Sequence, residues 1–95
     1  MKTYALEDIS SCERALIELR RLLPGSEKPW LLKAVDGDAI AYFNMGPKDL
    51  ERPGYWVTAD VSGRHHNEDS AVISILRQLQ SAVGGIIVDD DGVLL

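Results

Sequence analysis

The chain has 95 residues, 45% of them apolar and 26% charged, which is the size and composition of one domain, residues 1–95, with one modest core. That balance excludes a disordered chain, and no apolar run reaches the roughly 20 residues that a membrane-spanning helix needs. The formal net charge is −5, with ten Lys and Arg scattered among fifteen Asp and Glu, so nucleic acid and membrane are not expected partners.

The stretch from Met1 to Asp8 lacks the apolar segment of a secretory signal. The single cysteine, Cys12, has no partner for a disulfide and no companions for a zinc site. Both point to a reducing, cytoplasmic setting. An acidic surface keeps a small protein soluble, and it also suits a basic protein partner.

Thr3 to Glu7 has weak strand character. Ser10 and Glu13 then have the spacing of a capping box, in which each side chain bonds the other residue's backbone N–H. Ile9, Cys12, Leu16, Leu19 and Leu23 recur at three- and four-residue spacings, so a helix is expected over 11–23 with one apolar stripe. Cys12 falls on that stripe and reads as a buried structural residue. Pro24-Gly25 ends the helix.

Trp30 to Val35 and Ala39 to Met45 are β-prone runs on either side of Asp36-Gly37, a strong hairpin signal. Gly46 to Gly54 reads as an exposed loop. From Tyr55 to Val61 the residues alternate. Tyr55, Val57, Ala59 and Val61 fall on one face, and Trp56, Thr58 and Asp60 on the other, as in a half-buried strand. A second helix starts near Asn67, with Glu68 and Asp69 in a first turn that favours acids. Val72, Ile75, Leu76, Leu79 and Val83 form its apolar stripe, and Gly84-Gly85 closes it. Ile86 to Val88 reads as a buried strand, Asp89-Asp90-Asp91-Gly92 as a turn, and Val93 to Leu95 as a short returning stub.

Each helix has one apolar stripe and the best strand one apolar face. The expected fold is therefore α+β, a two-layer sandwich with two helices on one face of an antiparallel sheet. That is the ferredoxin-like βαββαβ plan, with the Asp36-Gly37 hairpin as an embellishment. Without the first strand, the order αβββα resembles a double-stranded-RNA-binding domain, but no basic helix N-terminus supports that function.

Three groups of residues are candidates for function. The first is the sheet face opposite the helices, where Trp56, Thr58 and Asp60 point away from the core. Leu31, Val35, Ile40 and Tyr42 alternate onto the same face. Exposed aromatics there suggest a protein partner or self-association, with Trp56, Tyr42, Thr58 and Asp60 at the contact. The plain alternative is that the 46–54 loop folds over Trp56.

The second group is Arg64, His65, His66, Asp89, Asp90 and Asp91. The second helix rises roughly 24 Å and the next strand runs back, which brings these residues to one end of the domain. Two imidazoles and several carboxylates have the chemistry of a divalent-metal or acid–base site. The spacing matches no zinc pattern, and these residue types also suit a helix start and a turn, so solvated surface is the stronger expectation and no metal is expected. Arg64 also has Asp89 or Asp90 within prospective reach.

The third is Cys12 itself, near a helix N-terminus where a thiolate can be stabilised. No phosphate-binding loop, dinucleotide fingerprint, nucleophile elbow or paired Cys-x-x-Cys occurs, and no enzyme activity or cofactor is expected.

From Tyr55 to Gly92, the run Trp56-Val57-Thr58-Ala59-Asp60, a helix, and Gly84-Gly85-Ile86-Ile87-Val88-Asp89-Asp90-Asp91-Gly92 resembles small bacterial proteins of uncharacterised families. It also resembles some immunity proteins that neutralise secreted toxins. The resemblance implies a non-enzymatic binding role of immunity or antitoxin type, and it carries no site residue across. The competing expectations are a small-ligand or metal-binding protein using His65, His66, Asp89 and Asp91, and a structural homodimer.

Overall fold

A computed structural model describes residues 2–25, 29–47, 55–63 and 67–95. The elements in chain order are β1 (Lys2–Ile9), α1 (Cys12–Leu22), β2 (Trp30–Lys33), β3 (Ala39–Pro47), β4 (Tyr55–Val61), α2 (Asp69–Val83) and β5 (Ile86–Val88). The chain is α+β. Its five strands form one antiparallel sheet in the order β2-β3-β4-β1-β5.

The weakest strand expectation becomes an interior strand of the sheet. β1 runs the full eight residues from Lys2 to Ile9 and pairs with β4 on one side and β5 on the other. Its partners Leu6↔Val57 and Leu6↔Ile87 are apolar side chains that no local pattern around Thr3–Glu7 announces. Between Leu6 and Ile9 the register with β4 slips. Asp8 takes φ 60 there, a left-handed conformation that aspartate tolerates better than most residues. The extra residue brings Leu6 and Ile9 both into the core, at 0% and 4% exposure.

The first helix is capped one residue later than the Ser10 and Glu13 spacing predicts. Ser11 has extended backbone and accepts from the Arg14 N–H at 3.2 Å. Ser10 instead points to the other helix. Its backbone N–H and its hydroxyl both donate to the Val83 carbonyl, at 3.1 and 2.8 Å. One residue thereby ties the start of α1 to the end of α2 and satisfies a carbonyl in the last helical turn.

α1 buries Ala15 and Leu19, with Leu23 just beyond it, whereas Leu16 is only half-buried. Ile9, expected on the helical stripe, belongs to β1. α2 begins at Asp69, two residues after the expected Asn67, and its N-cap Glu68 makes no side-chain cap bond. Val72, Leu76, Leu79 and Val83 are buried as expected, and Ile75 is half-buried. Gly84 ends the helix at φ 75, its N–H bonded to the Gln80 carbonyl.

The buried residues of the helices and of one sheet face make a single cluster. The sheet contributes Tyr4 and Leu6, Trp30, Ala41 and Phe43, Val57, Ala59 and Val61, and Ile87. Cross-strand register puts them together: Tyr4 and Phe43 both pair with Ala59, and Trp30 pairs with Phe43. Each fully buried Leu, Ile, Val or Phe contributes about 1.5–3 kcal/mol of transfer free energy. Trp30 is also buried, yet its indole N–H meets no acceptor among the described residues, which offsets part of its contribution. Among the described residues, no helix is long and apolar enough to cross a membrane.

Candidate functional site

The strand pairings define the second face of the sheet. Tyr42 lies opposite Asp60, Asn44 opposite Thr58, and Gly46 opposite Trp56. Leu31 lies opposite Tyr42, Thr3 opposite Asp60 and Ala5 opposite Thr58. Beyond β1, Val88 faces Ala5, and Leu94 faces Val88. Directly paired residues project to the same side of a sheet, so Trp56, Tyr42, Thr58 and Asp60 share one face, as the alternation predicts. It is the face away from the core residues Phe43, Val57, Ala59 and Val61. No described helix contributes side chains to it.

Its surface is mixed. Tyr42 is 40% exposed, while Trp56, Thr58 and Asp60 are half-buried. The Thr3 hydroxyl donates to Asp60 at 2.8 Å, which fixes that carboxylate in the middle of the face. Two expected members are not there. Val35 lies in the hairpin turn outside both strands, fully exposed, because β2 ends at Lys33 after a register slip. Ile40 is only 7% exposed and joins the core cluster at the start of β3. Tyr55, expected on the buried face, is 38% exposed, since it opens β4 opposite the slip in β1.

Trp56 has a specific seat. A Cβ on Gly46 would lie 2.8 Å from Cζ2 of the indole and 3.0 Å from its Cη2. The ring therefore lies over the bare backbone of Gly46, its direct cross-strand partner. Local pattern ends the strand at Met45 and places Gly46 in a loop, whereas β3 runs on to Pro47 and pairs Gly46 with Trp56. The alternating aromatic and the glycine were both visible; the register joining them was not. The remainder of the 46–54 loop, and with it the expected cover over Trp56, lies outside the described residues.

The second candidate is divided. Arg64, His65 and His66 lie outside the described residues. Asp89, Asp90 and Asp91 hold three carboxylates with ligand atoms within 4.8 Å of one another. Asp89 Oδ1 also accepts from the backbone N–H of Asp91 at 3.0 Å and of Val93 at 2.9 Å, the bonding of an aspartate turn.

At the same end, β1 and α2 contribute a group that the sequence did not single out. Asp69 Oδ2 accepts from Lys2 Nζ at 2.8 Å and from the Tyr4 hydroxyl at 3.0 Å. The bond to Asp69 holds the Lys2 ammonium above its ordinary 10.5. Burial, and then the bond to Asp69, push the Tyr4 phenol above 10.0. Lys2 and Tyr4 are spaced by two on one strand and Asp69 opens the helix, which is the signal that was available. The arrangement clasps β1 to α2.

Cys12 is half-buried and free, at the first position of α1, and not fully enclosed as its place on the stripe predicts. A groove of about 470 Å³ runs along the outer side of α2, lined by Ser70, Ile73, Ser74, Arg77, Gln78 and Ser81. Comparison with protein-family models, with curated proteins and with solved structures finds no match to this chain.

Proposed function

We propose that the chain is a non-enzymatic protein-binding module that meets its partner through the sheet face opposite the helices. The observation that carries this reading is the common register of Tyr42, Trp56, Thr58 and Asp60 on a face that no described helix covers. Aromatic side chains of this kind dominate the energetics of protein contacts, because they bury large area at low entropic cost. The net charge of −5 favours a basic partner. An immunity or antitoxin role in the cytoplasm is the concrete version. It draws on the resemblance of the Tyr55–Gly92 stretch, and on the free Cys12, which suits a reducing setting.

The architecture supports a ferredoxin-like plan. With β2 set aside as the hairpin embellishment, the chain runs β1-α1-β3-β4-α2-β5, the βαββαβ order.

The test is affinity capture of the tagged protein from its own organism, followed by reconstitution with the purified partner. Trp56→Ala and Tyr42→Ala are expected to lose about tenfold or more in affinity each, while circular dichroism remains unchanged. Unchanged affinity in both variants would refute the sheet-face contact. Light scattering that gives a dimer in every preparation would favour the homodimer instead.

The clustered carboxylates of Asp89, Asp90 and Asp91 favour one second reading, a divalent-metal site completed by His65 and His66. It predicts saturable Zn²⁺ or Mn²⁺ uptake that weakens below about pH 6 as imidazoles protonate. A flat calorimetric titration removes it.

A further inference from the structure

We infer that the outer edge of the sheet, formed by β5 and residues 93–95, docks an extended segment of another protein in which apolar residues alternate with lysine or arginine. Three observations meet there.

The first is backbone geometry. Asp89 donates its N–H to the Val93 carbonyl, and Leu95 donates to the Ile87 carbonyl, both at 3.0 Å. Those two bonds flank the Val88↔Leu94 bridge and make it a non-hydrogen-bonded antiparallel pair. In such a pair the N–H and C=O of each residue turn away from the other strand. Leu94 therefore presents a donor and an acceptor outward, along the line where a further strand would lie.

The second is side-chain chemistry. Edges are normally guarded by charge, and this one carries Val93, Leu94 and Leu95, at 57%, 65% and 44% exposure, with Ile86 at 42% beside it. Leu94 shares the open face with Val88, and its two neighbours project to the opposite side. An added strand would find apolar surface on both sides of its own backbone.

The third is charge, which selects the occupant. The edge leads directly from the Asp89–Asp91 turn, whose Asp90 and Asp91 are exposed. A segment lying along residues 93–95 and running past that turn brings its own basic side chains against these carboxylates. A second copy gains no such pairing. It brings another −5 of charge.

The experiment titrates the full chain into a fluorescently labelled ten-residue peptide of alternating lysine and valine, read by anisotropy. A glutamate–valine peptide of the same length serves as control. Saturable binding of the first peptide and not the second is expected. Leu94→Pro, which removes the outward donor, is expected to weaken binding at least tenfold. Leu94→Lys does the same by charge and keeps the backbone, should the proline variant not fold. Asp90→Asn with Asp91→Asn is expected to lose several-fold, and the wild-type affinity to fall with added salt.

Equal binding of both peptides, or wild-type affinity in Leu94→Lys, overturns the inference. Self-association that Leu94→Lys abolishes overturns it in favour of a second copy. Tyr42→Ala and Trp56→Ala are expected to leave peptide affinity unchanged. Loss in those variants moves the docking to the open face and overturns the edge, whereas their failure against a captured partner bears only on the sheet-face reading.

Discussion

Gly84 and Gly85 stand next to each other between α2 and β5, and they are expected to respond very differently to the same substitution. Both have positive φ, 75 and 97. For either one, alanine carries a backbone strain of about 1–3 kcal/mol. At Gly84 that is the whole cost, because nothing lies within 4 Å of an added Cβ. At Gly85 the Cβ would lie 2.4 Å from the Glu7 carbonyl oxygen, 3.2 Å from Leu6 Cδ1 and 3.3 Å from Ile9 Cγ2. The first of these is backbone of β1, paired there with Ile86 of β5, and a carbonyl oxygen has no rotamer to escape into. Overpacking of this kind adds about 1–3 kcal/mol. Urea unfolding, followed by tryptophan fluorescence, measures the difference. With a denaturant slope of about 1 kcal/mol per molar, the midpoint of Gly85→Ala should fall about 1–3 M below that of Gly84→Ala. Equal midpoints would refute the argument that contact with β1, and not backbone conformation alone, requires glycine at 85.

Two further substitutions test the clasp and the core. Tyr4→Phe should cost about 1.5 kcal/mol, the low end for a bond to a carboxylate, because Lys2 still holds Asp69. Subtracting the 295 nm absorbance titration of Tyr4→Phe from that of the parent isolates one phenol, whose midpoint should lie above 10.0. The native phenol is the weaker acid. Its stabilisation is therefore complete below the unfolded pKa and declines as pH rises through the native value, so the parent should lose stability above pH 10 faster than Tyr4→Phe does. Trp30→Phe should be within about 1 kcal/mol of the parent in urea despite the burial of Trp30, because removing an indole N–H that meets no described acceptor offsets the lost contacts. A loss above about 3 kcal/mol would mean that this N–H is bonded in solution.

The parts of the fold that were legible in the sequence are those set by local period and local chemistry. The alternation from Tyr55 to Val61 gives the whole of β4, and the stripe from Val72 to Val83 gives the buried side of α2. Asp36-Gly37 marks the hairpin, where the Asp36 carboxylate accepts from the Asp38 N–H at 3.0 Å. What was not legible depends on partners distant in sequence. β1 has little strand character of its own, and the strand partners of Leu6, Val57 and Ile87, lie over fifty residues away. Ser10 and Ser11 are equivalent cap types, and the acceptor at Val83 decides between them. The candidate face was readable as a set of residues. The seat of Trp56 on Gly46, the burial of Ile40 and the outward backbone of Leu94 all follow from register, which local spacing does not encode.

The position of β1 has a consequence for the order in which the molecule can be made. β1 lies inside the sheet, and both of its neighbours, β4 and β5, are encoded more than forty residues after it. During translation it must wait for Tyr55–Val61 before it has any hydrogen-bonding neighbour and for Ile86–Val88 before its second side is covered. The β2–β3 hairpin, by contrast, can close as soon as Phe43 follows Trp30. Such non-local pairing slows folding and leaves the apolar face of β1, Tyr4 and Leu6, without neighbours in the nascent chain. A ribosome halted after α2 would release a chain that encodes both helices and β1 to β4, in which β1 still lacks its second partner.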